Sequence, residues 1–198
     1  MKYTVFGILV AFIVFGVVKI SGSPLPETIY IVKEIEPIPE PEIDINQMHC
    51  LATNIYHEAR GESFAGKVAV GNVTLNRVNH IKYPDTICDV VYQARLRENW
   101  RGDLVPVRHK CQFSWYCDGM SDDIVLRTDQ GIVIKDHMFA WEQSLDIAGR
   151  IIQGQVLDIT DGSTHYFNSD LADPSWANEL ALVVEIDNHS FHKESKIH

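Results

Sequence analysis

The sequence predicts an α+β fold, mostly helical, closed by a small C-terminal β-hairpin or sheet. Three observations carry this. Apolar residues recur at helical spacing in residues 48–59 and 68–78, and again in residues 141–152. Residues 182–186 are β-rich, and Asp187-Asn188 offers a hairpin turn into residues 189–192. A chain of 198 residues, 45% hydrophobic and 22% charged, suits one sizeable core, and no internal repeat divides it.

Taken in order, residues 1–20 read as an N-terminal signal anchor or signal peptide. Lys2 precedes the apolar run of residues 3–18, Lys19 interrupts it, and Ser21-Gly-Ser23 supplies small residues without a clear Ala-x-Ala cleavage site. This implies export, with the protein held at the inner membrane or released to the periplasm or cell wall. Residues 21–46 read as a linker: Pro24, Pro26, Pro37, Pro39 and Pro41 stiffen it, and its glutamates resist collapse. Residues 47–198 then read as the one globular domain, the part expected to carry the chemistry.

The domain opens with a helix whose buried stripe is Met48, Leu51, Ala52, Ile55 and Ala59, stopped near Gly61. Ser63 caps a second helix to about Val78, with Val68, Gly71, Leu75 and Val78 on one face. The small residues Ala65, Gly66, Ala69 and Gly71 allow another helix to approach closely. Thr86 caps a short helix through Gln93. Asp136 begins a longer one, on which Trp141, Leu145, Ala148, Ile151 and Ile152 form a stripe ending before Gly154. Residues 94–110 are polar and irregular and read as a variable loop.

Glu58 is the residue on which a functional reading turns. It falls on the shoulder of the first stripe, in the last turn of its helix. The negative end of the helix dipole and the apolar neighbours both disfavour its charged form. A glutamic acid held protonated near neutral pH can protonate a glycosidic oxygen. Glu62 is a possible second carboxylate, since paired carboxylates are the rule in many glycosidases, and the acids Asp118, Asp122 and Asp123 are a reserve for that role.

The words around Glu58 carry a family resemblance. Ile55-Tyr-His-Glu-Ala-Arg-Gly-Glu62 and Gly66-Lys-Val-Ala-Val-Gly-Asn-Val-Thr-Leu-Asn-Arg-Val78 resemble the cell-wall hydrolase family typified by spore-cortex-lytic enzymes. The likeness continues through Tyr83-Pro-Asp-Thr-Ile-Cys-Asp-Val-Val-Tyr-Gln93 and Cys111-Gln-Phe-Ser-Trp-Tyr-Cys-Asp-Gly119. It resumes at Thr164-His-Tyr-Phe-Asn168, Pro174-Ser-Trp176 and Ile186-Asp-Asn-His-Ser-Phe191. The resemblance implies a lysozyme-like domain related to lytic transglycosylases, acting on peptidoglycan, with Glu58 as its catalytic acid. His57 departs from the pattern, standing where an aromatic or small residue is expected.

Substrate contacts are then expected from Gln112, Phe113, Ser114, His165, Tyr166, Asn168 and Trp176, through amide, hydroxyl and imidazole hydrogen bonds and aromatic stacking. Each has a plainer reading, as a turn cap or a core aromatic. His189 reads as structural.

The cysteines fit an oxidising compartment: Cys50, Cys88, Cys111 and Cys117 are an even set, and three pairings are open. The preferred one closes a short loop with Cys111–Cys117 and leaves Cys50–Cys88. A zinc site competes, but the sequence lacks paired Cys-x-x-Cys or His-x-x-x-His spacing. No cofactor or metal is called for.

The formal charge of −10 excludes the basic face of a nucleic-acid binder. Residues 1–46 carry three lysines and six acids, so −7 remains for the domain. Such a domain gains no overall attraction to an anionic wall. The expected function is cleavage of the MurNAc–GlcNAc bond of peptidoglycan glycan strands as a lytic transglycosylase, in a phage endolysin or a wall-remodelling enzyme. The alternatives are a hydrolytic muramidase or glucosaminidase, a metal-dependent amidase using His57, His165 and His189, and a catalytically silent wall-binding module.

Overall fold

A single helix, α1 (Ile45–Ala59), runs through the middle of the domain, and the other helices pack around it. Its N-terminus is fixed by Asp44, whose carboxylate accepts from the backbone N–H groups of Asn46 and Gln47. A helix buried on most of its circumference needs apolar residues beyond one stripe. Accordingly Leu51, Ala52, Ile55 and Ala59 are joined in the interior by Thr53, Asn54 and Tyr56. The structure, a computed structural model, describes residues 43–195. The segment of residues 1–20 and all but the end of the 21–46 spacer lie outside these. The expected boundary shifts slightly, because Asp44, Ile45 and Asn46 already belong to the helix and its cap.

Ser63 caps α2 (Phe64–Val78), its hydroxyl accepting from the N–H of Gly66. Close packing of α2 depends on Gly71: a Cβ there would lie 2.5 Å from the Ile151 side chain and 3.1 Å from that of Ile55. This one missing methyl brings α1, α2 and α4 together. Thr86 caps α3 (Ile87–Val91), which ends two residues before the expected Gln93. The long helix α4 (Lys135–Ile152) completes the bundle. Leu51, Ile55, Val68, Val90, Val91, Ile147 and Ile151 form its common core. The disulfide Cys50–Cys88 ties α1 to α3.

Residues 94–110 are not an irregular loop. They form a two-stranded antiparallel hairpin, β1 (Ala94–Glu98) with β2 (Leu104–Cys111), in which Leu96 pairs with Pro106 and Arg97 with Val105. Its five-residue connection is closed by Asn99, whose side-chain oxygen accepts from Arg101 and Asp103, and by Gly102 at φ 87°. Because both faces of this ribbon are largely exposed, its strands lack the apolar alternation that marks a half-buried strand. The Cys111–Cys117 disulfide ties β2 to a 3-10 turn, Ser114–Cys117.

The C-terminal sheet has three antiparallel strands in the order β3 (His165–Asn168), β5 (His189–Lys193), β4 (Ala181–Ile186). Asp187 turns β4 into β5 with φ 52°. Its carboxylate accepts from both the N–H and the hydroxyl of Ser63, docking the turn on the positive end of α2. Gly66 makes room, since a Cβ there would meet that carboxylate oxygen at 2.4 Å. Phe191, fully buried on the central strand, packs with Ala69 and Val73 of α2. Helix α2 therefore lies between α1 and the sheet, and this layering brings α1 and β3 to one site.

Candidate active site

Beside the C-terminal end of α1 opens a cleft of about 390 Å³. His57, Glu58 and Arg60 line one side, Ser114 and Trp115 the base, and the loop bearing Asp118, Asp122 and Asp123 the other. The side chain of Glu58 is half-buried at the inner edge of this cleft. Tyr166, reaching across from β3, donates a hydrogen bond of 2.9 Å from its hydroxyl to Glu58 Oε2.

Behind this pair lies Arg77, near the end of α2 and only 4% exposed. Its Nε donates to the carbonyl of Thr164 at 2.8 Å, while its guanidinium lies 4.8 Å from the Phe113 ring centre and 5.6 Å from that of Tyr83. Its buried Nη1 has no hydrogen-bond partner among the described residues. A guanidinium keeps its proton even here, so a fixed positive charge faces Tyr166 and Glu58.

These neighbours pull the Glu58 carboxyl in opposite directions. Burial pushes its pKa above the usual carboxylate range, and that effect is the largest. The Tyr166 hydrogen bond and the Arg77 charge oppose it, because both favour the carboxylate. Tyr166 stays a phenol and hence a donor: burial and the adjacent Glu58 push its own pKa well up. The net effect is upward: Glu58 keeps its proton to higher pH than an ordinary glutamate, as a proton donor requires.

Neighbouring residues on α2 position this set. Asn76 donates to Asp158, Thr160 and the carbonyl of Ser163, and Arg77 to Thr164, so two consecutive side chains grip the loop that leads into β3. Asp158 holds the loop from within, accepting from Thr160 and Gly162. On the other side, buried Asn54 donates to Thr74 Oγ1 and accepts from Trp115 Nε1 at 2.9 Å. Trp115 in turn stacks under His57, with ring centres 4.5 Å apart and planes within 18°. His57 Nε2 lies 3.2 Å from the carbonyl oxygen of Asp122, linking the two walls of the cleft, and burial lowers the pKa of its imidazole.

Of the expected substrate contacts, Ser114 lines the cleft and Tyr166 touches Glu58. The others lie elsewhere. Phe113 is 2% exposed and sits in the core under Arg77, so its ring is closed to a sugar. The backbone N–H of Gln112 donates to the carbonyl of Gln93 at the base of the hairpin, away from the cleft lining. His165 and Trp176 pack on each other, and Trp176 also on Phe167 and His192, as an aromatic cluster apart from the lining. Asn168 caps a turn by accepting from the N–H of Asp170. Glu62 is not among the cleft residues; its carbonyl accepts from Lys67 Nζ at 2.6 Å. Among the described residues no group of three His, Cys, Asp or Glu side chains converges to hold a metal, and all four cysteines are in disulfides.

Two features escaped the sequence reading, Arg77 and the pairing of Tyr166 with Glu58. The signal for Arg77 was its spacing from Val70, Val73 and Thr74, which puts a cation on a buried face of α2.

This architecture is shared with solved structures. The catalytic domain of the Bacillus cereus SleB protein superposes with a TM-score of 0.51 at 25% identity, covering 77% of this chain and 94% of that one. The catalytic domain of the germination-specific lytic transglycosylase SleB from Bacillus anthracis gives 0.50 at 26% identity, with 79% and 100% covered. In sequence, the spore cortex-lytic enzyme of Oceanobacillus iheyensis is 29% identical over 148 residues, 75% of this chain and 42% of that protein. The enzyme of the same name from Bacillus subtilis is 27% identical over 146 residues, 74% and 37% respectively. The chain thus spans less than half the length of these curated relatives. A family model described as Cell Wall Hydrolase matches residues 61–192, about two thirds of the chain beginning just after Glu58, and this protein belongs to that family.

Proposed function

We propose that this protein degrades peptidoglycan by cleaving the MurNAc–GlcNAc glycosidic bond as a lytic transglycosylase, with Glu58 as its single acid and base. One observation carries the reading: a cleft-lining carboxyl whose pKa burial raises, met by a phenol donor and backed by a buried cation. In this reaction protonated Glu58 gives its proton to the glycosidic oxygen as the C1–O bond of the muramic residue breaks. The resulting Glu58 carboxylate then takes the proton of the muramic C6 hydroxyl, and that oxygen bonds to C1. The product is a 1,6-anhydromuramoyl end, no water is consumed, and Glu58 is again protonated. Tyr166 and Arg77 act between the two transfers, stabilising Glu58 while it is charged.

A hydrolytic second reading rests on Asp118, Asp122 and Asp123 lining the same cleft, since a hydrolase needs a second carboxylate to activate water or attack C1. Export belongs to the proposal too. It is supported by two disulfides, which persist in oxidising compartments.

The test is Glu58→Gln assayed on purified peptidoglycan, with products weighed by mass spectrometry. The variant keeps the shape and an acceptor for Tyr166 but has no proton to give, so lysis should fall roughly 10²–10⁴-fold. A folded variant with normal lysis removes Glu58 from the mechanism. Ends lighter than the hydrolytic product by one water support transglycosylation, whereas hydrated reducing ends support the second reading.

A further inference from the structure

The β1–β2 hairpin has a composition unlike the rest of the chain. Residues 94–111 hold five of the 17 lysines and arginines and two of the 27 acids, a local charge of +3 in a chain of −10. All five cations, Arg95, Arg97, Arg101, Arg108 and Lys110, are exposed, and among the described residues none is in a salt bridge. At the tip Trp100 is 85% exposed, with the Arg101 guanidinium 4.4 Å from its ring centre, and Leu104 is 68% exposed. An isolated two-stranded ribbon is marginal in water. Beyond its own pairing, this one packs mainly on the Ser114–Cys117 turn, and a disulfide holds it there. A cationic, aromatic-tipped ribbon held out from an acidic body has the composition of a contact surface rather than of a packed element.

Its position says what it meets. Arg108 Nε donates to the carbonyl of Asp118, and Asp118 lines the cleft. The disulfide partner Cys117 directly precedes Asp118. The hairpin therefore rises from the cleft's acidic wall, where a long polymer seated beside Glu58 must pass. We infer that this hairpin is a grip for the carboxylate-bearing stem peptides of the peptidoglycan strand that occupies the cleft. Arg95 and Arg97, two residues apart on one strand and both exposed, can pair with successive carboxylates. Trp100 offers a flat apolar face to sugar or peptide. The negative charge of the body is then no obstacle to binding an anionic wall, because the attraction is local to the hairpin.

The inference rests on the peptidoglycan reading, and its test separates the two. Full-length protein carrying Glu58→Gln is sedimented with purified sacculi freed of phosphate polymers, and compared with the same protein carrying R95Q, R97Q and R101Q. Three exposed charge contacts together should be worth about tenfold in affinity at low salt, and the difference should vanish in high salt. The version with R95K, R97K and R101K should bind nearly as the parent does. Blocking the wall carboxylates by amidation should bring the parent down to the level of the glutamine variant.

Equal binding by parent and glutamine variant at low salt overturns the proposal. So does undiminished binding to amidated walls. If instead binding behaves as described but the Glu58-bearing protein releases no glycan fragments, the enzyme reading fails while the grip stands.

Discussion

Replacing Tyr166 by phenylalanine isolates the hydrogen bond that its hydroxyl gives to the Glu58 carboxyl. The ring itself should stay, because it stacks on Phe191 at 5.6 Å between centres and packs in the α2–sheet interface. What is lost is a donor 2.9 Å from a carboxyl oxygen. Hydrogen bonds to charged groups are worth about 1.5–3 kcal/mol, which shifts the ratio of carboxylate to acid by roughly ten- to a hundredfold. The direction follows from which form the bond favours. The phenol donates to the carboxylate, so without it Glu58 holds its proton to higher pH, and burial acts with less opposition. The alkaline limb of the pH–rate profile, where the acid is lost, should therefore move to higher pH. The plateau rate should fall by a factor of the same order, because in the proposed reaction Glu58 is charged between the two proton transfers. Release of soluble fragments from peptidoglycan, measured across pH for both proteins, gives limb and plateau together. A limb that stays put, or moves to lower pH, refutes the idea that Tyr166 stabilises the charged form.

Stability should also report on the same carboxyl. The folded pKa of Glu58 is raised, so the native state binds more protons than the unfolded chain from the ordinary glutamate range up to the raised value. Stability therefore declines as pH rises through that window. Glu58→Gln should melt like the parent in acid and above it at neutral and alkaline pH, and identical melting curves at every pH would refute this. The disulfides should differ in kind. Loop-closure arithmetic gives about 4 kcal/mol for Cys50–Cys88, separated by 38 residues, and about 2 kcal/mol for Cys111–Cys117, separated by 6. In urea, Cys50→Ala with Cys88→Ala should lose the larger share of stability. Cys111→Ala with Cys117→Ala should lose more wall affinity than its stability loss explains, because that bridge anchors the hairpin.

What the sequence disclosed is what local chemistry dictates. Ser63 and Thr86 announced their helices because a hydroxyl before an apolar run satisfies an otherwise free N–H. Asp187-Asn188 announced a turn because such residues tolerate positive φ. The hairpin of β1 and β2 gave no such sign. Exposed on both faces, it has no reason to alternate, and its pairing is enforced by a disulfide and a turn rather than by burial. Strand β3, four residues long, was equally silent, since its place is set by pairing with β5 across more than twenty residues of chain.

At the site, Glu58 was legible because it sits at the edge of a helical stripe, and edge positions follow from one period. Its partners were not. Tyr166 and Arg77 reach it only through the layering of α1, α2 and the sheet, which no spacing encodes. Phe113 looked like a sugar platform and proved to be the floor beneath Arg77. An aromatic residue reads the same in sequence whether its face meets a ring or a guanidinium.

The arrangement of charge across the cleft bears on the choice between the two chemistries. A hydrolase acting near neutral pH needs its second carboxylate ionised while Glu58 is protonated. Asp122 is poorly suited to that division of labour. Burial pushes its pKa upward, and although the neighbouring His57 opposes this, the adjacent acids Asp118 and Asp123 add to the rise. Nor is its carboxylate the group that crosses the cleft: the contact to His57 is made by its backbone carbonyl. A buried cation, Arg77, lies on the Glu58 side, where the proposed reaction needs a transient carboxylate stabilised. A buried cation behind Glu58 lowers the cost of the charged state that this residue enters in the proposed reaction. On the proposed single-acid route, neutralising Asp122 should slow wall lysis less than removing either Tyr166 or Arg77, and an equal or larger loss would favour the hydrolytic reading.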